Sequence, residues 1–108
     1  MGQYHTVYNV DKKELINAHA INSGAKLMEQ MGWDKSASSA LFLLIANSNG
    51  RGGGDAIEHP LIGRWAGDRV VVQGDYAAPD DQGFVLDDGS YIDISTNVRA
   101  MLDTVFGE

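Results

Sequence analysis

The stretch RVVVQGDYAAPDDQGFVLDDGSYIDISTNVRAMLDTVF, residues 69–106, decides the predicted fold class. It predicts short strands at 69–73, 84–86 and 91–94, because β-branched and aromatic residues stand between turn-forming Gly, Pro and Asp residues. The run of valines in the first of these strands predicts that both of its faces are covered and that it is central in its sheet. The second and third strands are predicted to form a hairpin.

A helix is predicted to close this stretch. Ser95 or Thr96 is its expected N-cap, because a hydroxyl side chain accepts a hydrogen bond from the first helical turn. Residues three and four positions apart then form a single apolar stripe, which consists of Val98, Met101, Leu102, Val105 and Phe106.

The residues before position 69 predict one strand and two helices. Alternation over residues 3–10 predicts the strand, and Asp11 with Glu14 predicts a short helical turn that extends to residue 17. A helix is expected after residues 22–23, with Leu27, Met28 and Met31 on one face and Gly32 at its end.

Asp34 is the predicted N-cap of the strongest helix signal, which extends to Ala46. Its last two turns are apolar nearly all round, so this helix is predicted to be central and buried. The whole order of elements favours one α+β domain over residues 1–108, with a mostly antiparallel sheet of about four strands packed against about three helices.

Composition excludes several classes of protein. The hydrophobic fraction of 44% is too high for a disordered chain, and the absence of cysteine excludes disulfide scaffolds and cysteine-based metal sites. The first ten residues carry no apolar core of a secretory signal, and the longest apolar run of seven residues is far shorter than a membrane span. A cytoplasmic protein without a membrane segment is therefore expected.

The net charge of −7 is unevenly distributed along the chain. Residues 1–54 carry five basic and four acidic side chains, whereas residues 55–108 carry three basic and eleven acidic ones. An acidic surface repels phosphates, so a basic protein partner is expected in preference to nucleic acid. Such charge can also serve solubility alone. Most of the acid lies within nineteen residues, at Asp75, Asp80, Asp81, Asp87, Asp88 and Asp93.

The loop NSNGRGGGDAIEH, residues 47–59, is the candidate ligand site. Glycine backbone groups can form an anion-binding nest beside an arginine. These glycines follow a helix, whereas those of phosphate-binding fingerprints follow a strand, so a turn-rich helix exit is the competing interpretation. The candidate ligand-binding residues are Asn49, Arg51, Gly53, Asp55 and His59.

No cofactor, metal or catalytic residue is predicted. The three histidines lack the spacing of a zinc site, the aspartates lack the order of a calcium loop, and no nucleophile elbow is present. Trp65 lies in a polar turn beside Arg64 and Arg69, where an exposed indole would suit a partner's pocket, although core packing is the default interpretation.

Three segments carry a resemblance to known proteins: GQYH (residues 2–5), NSNGRGGGD (47–55) and GRWAGDRV (63–70). They resemble segments of small uncharacterised bacterial and phage-associated proteins, chiefly actinobacterial. The resemblance implies a bacterial or mobile-element accessory protein and transfers no catalytic residue.

Two functions are compatible with these observations. The first is a non-enzymatic interaction protein, for example an inhibitor of a nucleic-acid-binding enzyme, whose carboxylates stand where phosphates would lie. The second is a small anionic-ligand or nucleotide-binding domain or enzyme that uses the 47–59 loop, with Arg51 binding the anion and Glu58 or His59 transferring protons.

Overall fold

The computed structural model describes residues 3–21, 26–31, 34–50 and 52–107. This part of the chain contains the strands β1 (His5–Asn9), β2 (Glu14–Asn17), β3 (Val70–Gly74) and β4 (Ile92–Asp93). Its helices are α1 (Ala18–Ile21), α2 (Ala37–Ile45) and α3 (Ser95–Phe106), and a 3-10 turn spans Leu27–Gln30. Within these residues, no helix has the length and apolar character that crossing a membrane requires.

The strands form one mixed sheet in the order β3-β1-β2-β4. β1 is antiparallel to both of its neighbours, with Val7 opposite Ile16 on β2 and opposite Val72 on β3. β2 and β4 run parallel, and Leu15 is opposite Asp93. The predicted α+β class, with about four strands and about three helices, is confirmed. The single parallel pair makes the sheet mixed, which is a minor departure from the expectation.

The main core lies between one face of this sheet and the helices. Val7 and Ile16 point to that face, and α3 covers it with Val98, Met101 and Leu102. The predicted apolar stripe of the last helix therefore faces the core at these three positions. The remaining members of the buried cluster are Ile21, Ala40, Leu44, Trp65 and Ile94.

Residues 85–91 contact the opposite face of the sheet through Gln73 and Tyr8. Successive side chains of a strand point to opposite faces, so Tyr8 points away from the helical side that Val7 contacts. The Tyr8 hydroxyl donates to Asp87 at 3.3 Å, and its ring meets the Tyr91 ring edge-on with centroids 5.2 Å apart. Asp87, in the acidic part of the chain, thus lies on the face of the sheet opposite the helices.

The turn at residues 61–67 packs against the end of α2. The backbone N–H groups of Gly63 and Trp65 donate to the carbonyls of Leu43 and Leu44, at 3.0 and 2.9 Å. These bonds satisfy carbonyl groups that the last turn of a helix leaves unpaired. Gly63 has a φ of +86°, and a Cβ there would lie 2.9 Å from the Ala46 carbonyl oxygen, so only glycine fits this approach without strain.

The predicted helical turn over residues 11–17 is wrong, because residues 14–17 form β2. Asn9 explains the difference. Its side-chain oxygen accepts from the N–H groups of Asp11 and Lys12, at 3.0 and 2.9 Å, and so closes a turn that returns the chain alongside β1. Local hydrogen bonding of this kind competes with helix formation.

Two predictions about strands are also wrong. β3 lies at an edge of the sheet and not in its centre, and Val72 is 45% exposed. Residues 84–86 form no strand or hairpin. Instead, the side-chain amide of Gln73 takes the place of a strand partner, because it donates to the Val85 carbonyl at 2.8 Å and accepts from the Val85 N–H at 2.7 Å.

The helices depart from the prediction at several points. α2 is not buried all round, since Phe42 is 78% exposed, and its N-cap is Ser36 in place of Asp34. Leu27 and Met28 belong to a 3-10 turn, while the expected helix boundaries at residues 22–23 and Gly32 lie outside the described residues. The N-cap of α3 is Ile94 in place of Ser95 or Thr96, the Asp93 carboxylate accepts from the Ser95 N–H at 2.8 Å, and the Ser95 hydroxyl oxygen accepts from the Asn17 N–H at 2.8 Å.

Candidate functional site

The 47–59 loop is held together by its own polar side chains. The Asn49 amide donates to the Ala56 carbonyl at 3.1 Å, and its oxygen accepts from the Ala56 N–H at 2.8 Å. Asp55 accepts from the Gly52 N–H at 3.2 Å. Arg51 lies outside the described residues. Asn49 therefore closes the loop with one amide N–H and with its side-chain oxygen.

A cleft of about 670 Å³ lies beside this loop. One wall is the exit of α2, and the other is the turn that begins at Glu58 and packs on α2 through Gly63. Polar groups contributed by Asn47, Ser48, Asn49, Glu58 and His59 line it together with the apolar Ala46, Pro60, Ile62 and Ala66. The size of this cleft is typical of small-molecule sites.

His59 brings a hydrogen-bond donor to the cleft. Its Nδ1 accepts from the Leu61 N–H at 3.1 Å, so a neutral ring carries its hydrogen on Nε2. Glu58 is adjacent and exposed. The described residues that line the cleft thus supply neutral and acidic groups, and no lysine or arginine is among them.

The predicted glycine-lined pocket is only partly present. Of the five candidate residues, Asn49 and His59 line the cleft. Gly53 is exposed, with open space where a Cβ would stand, and Asp55 lines a neighbouring groove with Phe42 and Ile57. The glycines therefore serve the loop itself, while the cleft is built by the end of α2 and by the turn that packs against it.

Trp65 is in the core and not at the surface. Its side chain is fully buried, and its indole N–H donates to a carboxylate oxygen of Glu14 at 2.7 Å. The expectation of an exposed indole that anchors a partner is therefore wrong. The polar surroundings that suggested exposure are those of a buried ion pair.

Glu14 is the centre of that ion pair. Its carboxylate is nearly buried and also accepts from the guanidinium of Arg64 through both Nε and Nη2. These hydrogen bonds from Arg64, with that from Trp65, lower the pKa of Glu14 against the opposing effect of burial. The same contact raises the pKa of Arg64.

Further charged contacts surround this ion pair. Arg69 binds the Asp11 carboxylate through two nitrogens, at 3.0 and 2.8 Å, and Asp68 accepts from Lys12 at 2.6 Å. The pKa values of Asp11 and Asp68 are lowered by these hydrogen bonds from Arg69 and Lys12. We call the whole set the hairpin network, and it consists of Asn9, Asp11, Lys12, Glu14, Arg64, Trp65, Asp68 and Arg69.

Sequence reasoning missed the hairpin network because its partners lie far apart along the chain. Glu14 and Arg64 are separated by fifty positions, and Asp11 and Arg69 by fifty-eight. Two short segments carry it, NVDKKE at residues 9–14 and RWAGDR at 64–69. Each segment carries both acidic and basic side chains, which is the only signal that the sequence offers, and many other pairings would satisfy it equally well.

The acidic segment, defined as residues 75–93, differs from the hairpin network in its charge balance. It contains six aspartates and neither lysine nor arginine. In the described part of the chain, every salt bridge is formed by an acid outside this segment: Lys12 with Asp68, Lys35 with Asp103, Arg64 with Glu14, and Arg69 with Asp11. The predicted partner-binding residues Asp75, Asp80, Asp81, Asp87 and Asp88 are all exposed.

Short-range hydrogen bonds fix several of these aspartates. Asp75 accepts from the Tyr4 N–H at 3.2 Å, and Asp81 accepts from the Ala78 N–H at 2.9 Å. Asp87 and Asp88 accept from the N–H groups two positions ahead, at 3.1 and 3.0 Å. Each of these contacts uses a backbone donor, which sets the direction of the carboxylate without an ion pair.

Burial and the nearby Asp87 carboxylate raise the pKa of Tyr8, because both oppose ionisation of the phenol. A hydrogen bond from the Ser90 hydroxyl lowers the pKa of Asp88. A cation beside this segment is Lys13, whose ammonium lies 4.8 Å from the centre of the Tyr91 ring.

Exposed apolar side chains lie between the carboxylates. Tyr76, which follows Asp75, is 62% exposed, and Leu86, which precedes Asp87, is 72% exposed. A large apolar side chain surrounded by charged groups is typical of a protein interface, in which an anchor is enclosed by a polar rim. The sequence analysis did not single out these two residues, because neither belongs to a periodic apolar pattern.

The structure does not assemble a metal site from the part of the chain that it describes, since no three His, Asp or Glu side chains there are grouped for one. Comparisons of the chain with family models, with curated proteins and with solved structures found no match. The geometry and electrostatics of these residues are therefore the basis for a functional proposal.

Proposed function

We propose that the chain is a small non-enzymatic interaction protein of bacterial or phage origin, which binds a basic protein through its acidic segment. The observation that carries the proposal is the contrast in charge pairing. The described cations that form salt bridges do so with acids elsewhere, and the aspartates of residues 75–93 remain exposed.

The chemistry of the acidic segment supports a basic protein as the partner. A cluster of carboxylates accelerates encounter with a positively charged surface and repels nucleic acid. Tyr76 and Leu86 add apolar contacts that a purely solubilising surface would lack. One version is an inhibitor of a nucleic-acid-binding protein, in which the carboxylates occupy the positions of phosphates.

The test uses two variants of equal net charge. The first neutralises four aspartates of the acidic segment: Asp80→Asn, Asp81→Asn, Asp87→Asn and Asp88→Asn. The control neutralises four exposed acids elsewhere: Glu29→Gln, Asp34→Asn, Asp55→Asn and Glu58→Gln. Asn and Gln keep a side-chain oxygen, so the turn hydrogen bonds of the native residues can persist. Both variants lose the same charge and differ only in where it is lost.

Proteins captured from a nuclease-treated bacterial extract are identified, purified and titrated with each variant. We expect the acidic-segment variant to bind a basic partner about tenfold or more weakly, and the control to bind within about twofold of the unmodified chain. Affinity should fall as ionic strength rises, and nucleic acid should compete if the inhibitor version holds. Equal losses in both variants, or an affinity independent of salt, would contradict the proposal.

The cleft favours a second function, a small-ligand domain or enzyme. Its volume and its convergent polar groups from Ser48, Glu58 and His59 are the specific observation. An anionic ligand or nucleotide would also require Arg51, because the described lining supplies no cation. A thermal-shift screen with nucleotides and divalent metals tests this function. Stabilisation that is lost in both Arg51→Ala and His59→Ala would favour the cleft over the acidic segment.

A further inference from the structure

The outer edge of β3 presents unpaired backbone groups at Val70 and Val72, while the carbonyl of Gly74 accepts from the Ala77 N–H at 3.1 Å. The bonds from Val10 N–H to Arg69 O and from Asp75 N–H to Tyr4 O fix the alternation of the ladder between β1 and β3. In that alternation, Val70, Val72 and Gly74 direct their N–H and C=O groups away from β1. Among the described residues, no hydrogen bond reaches Val70 or Val72 from the outer side.

This edge lacks the features that normally prevent strands from pairing between molecules. Proteins protect edge strands with proline, charged residues or bulges, whereas β3 reads Val-Val-Val-Gln-Gly. Val72 is 45% exposed, and Leu27 and Met31, which share a cavity with it, are 44% and 48% exposed. The open edge is therefore continuous with exposed apolar surface on the helical side of the sheet.

We propose that a second copy of the chain pairs with this edge, antiparallel and centred on Val72, to form one continuous eight-stranded sheet. Val72 would be opposite Val72 of the second copy, and Val70 opposite Gly74. The pairing would form about six backbone hydrogen bonds and would cover the exposed valines. This inference does not rest on the proposed function, although the two share Asp75 at the start of the acidic segment.

Charge complementarity selects a second copy in this register. Counting outward from Val72, Arg69 is opposite Asp75 of the other copy at both ends of the paired strands. Residues directly opposite in a sheet share a face, so these side chains meet. Arg69 uses two nitrogens for Asp11 and keeps further donors, and Asp75 uses one carboxylate oxygen for Tyr4 and keeps the other.

Single-cysteine variants test the pairing, because the chain has no native cysteine. In the proposed dimer the two Val72 Cα atoms stand about 5.5 Å apart, a separation that a disulfide can span. We expect Val72→Cys to form a disulfide-linked dimer at least about tenfold faster than Leu86→Cys, whose site is more exposed but lies off the two-fold axis. Equal rates for the two variants would overturn the proposal.

Light scattering on the unmodified protein supplies the second measurement. We expect the mass of a dimer, which Val72→Lys converts to a folded monomer while Leu86→Lys leaves the dimer intact. Asp75→Lys should weaken the dimer, and adding Arg69→Glu should restore it, since the charges at the two ends are then exchanged. A monomer at every concentration of the unmodified protein would overturn the proposal, as would a dimer that Val72→Lys does not affect. The acidic-segment variant should remain a dimer, so the two proposals can fail separately.

Discussion

The hairpin network and the acidic segment use the same type of charged residue in opposite ways. In the hairpin network, Glu14, Asp11 and Asp68 each contact a cation, and the pKa of each carboxyl is lowered by that contact. In the acidic segment, the aspartates accept from nearby backbone N–H groups and form no salt bridge with the described residues. Position in the fold, and not residue type, decides which carboxylates contribute to stability.

The difference follows from burial. Glu14 lies on the helical face of the sheet beside the fully buried Trp65, where an unpaired charge would be costly. Arg64 and the Trp65 indole supply the hydrogen bonds that make this burial tolerable. The aspartates of the acidic segment are exposed and remain hydrated, so their charges need no partner within the chain. A protein under no demand except folding would gain nothing from six such aspartates.

Removal of the Glu14 charge should have the largest effect on stability. Glu14→Gln keeps the shape of the side chain but replaces charge-assisted bonds from Arg64 and Trp65 with weaker neutral ones. We expect the free energy of unfolding to fall by about 2–4 kcal/mol, as measured by urea denaturation. The side chain of Arg64 is 42% exposed and can regain water, so a loss at the lower end of this range is expected.

Asp80→Asn is the matched control in the acidic segment. Asp80 is exposed and lies among like charges, so its neutralisation should leave stability within about 0.5 kcal/mol of the unmodified chain. A loss comparable to that of Glu14→Gln would show that the acidic segment is a structural element, and the contrast between the two regions would be wrong.

Two glycines, one near each region, allow a further comparison in which the expected loss of stability is intermediate in size. Gly63, in the turn at residues 61–67, has a φ of +86°, and Gly83, in the acidic segment, has a φ of +77°. A Cβ would lie 2.9 Å from the Ala46 carbonyl oxygen at Gly63, but in open space at Gly83. Gly83→Ala should therefore cost about 1 kcal/mol from backbone strain alone, and Gly63→Ala about 2–3 kcal/mol. Equal costs in thermal or urea unfolding would show that the α2 contact is not tight.

Local sequence patterns predicted the elements that depend on local packing. The period of α3 placed Val98, Met101 and Leu102 in the core, and alternation placed β1. The errors arose where a distant partner decides the outcome. Three valines predicted a central strand, yet β3 lies at an edge, because strand order depends on which segments return to the sheet and this is not encoded in the strand itself.

The candidate sites likewise divide into features that the local sequence predicted and features that depend on distant partners. Exposure of the aspartates was predictable from composition, because carboxylates without nearby lysine or arginine are rarely buried and remain in contact with solvent. Core packing of Trp65 was the default interpretation, but the hydrogen bond from its indole to Glu14 was not predictable, because it depends on segments fifty residues apart that meet in the fold. A polar surrounding in the sequence therefore does not distinguish an exposed indole from one whose N–H is bonded within a buried ion pair.

Acidification should give the smallest of these effects on stability, and it should distinguish the hairpin network from the acidic segment. Glu14 has a folded-state pKa below its ordinary value of 4.5, so its stabilisation is complete above that value and is lost as pH falls through the lowered pKa. The urea midpoint of the unmodified chain should therefore fall as the pH is lowered from above 4.5 through the lowered pKa of Glu14, and that of Glu14→Gln should fall less. Protonation of the acidic segment relieves repulsion equally in both proteins, so it does not contribute to the difference between their urea midpoints. The gap between the two midpoints should narrow as pH falls, and a constant gap would mean that Glu14 stabilises the fold through its shape and not through its charge.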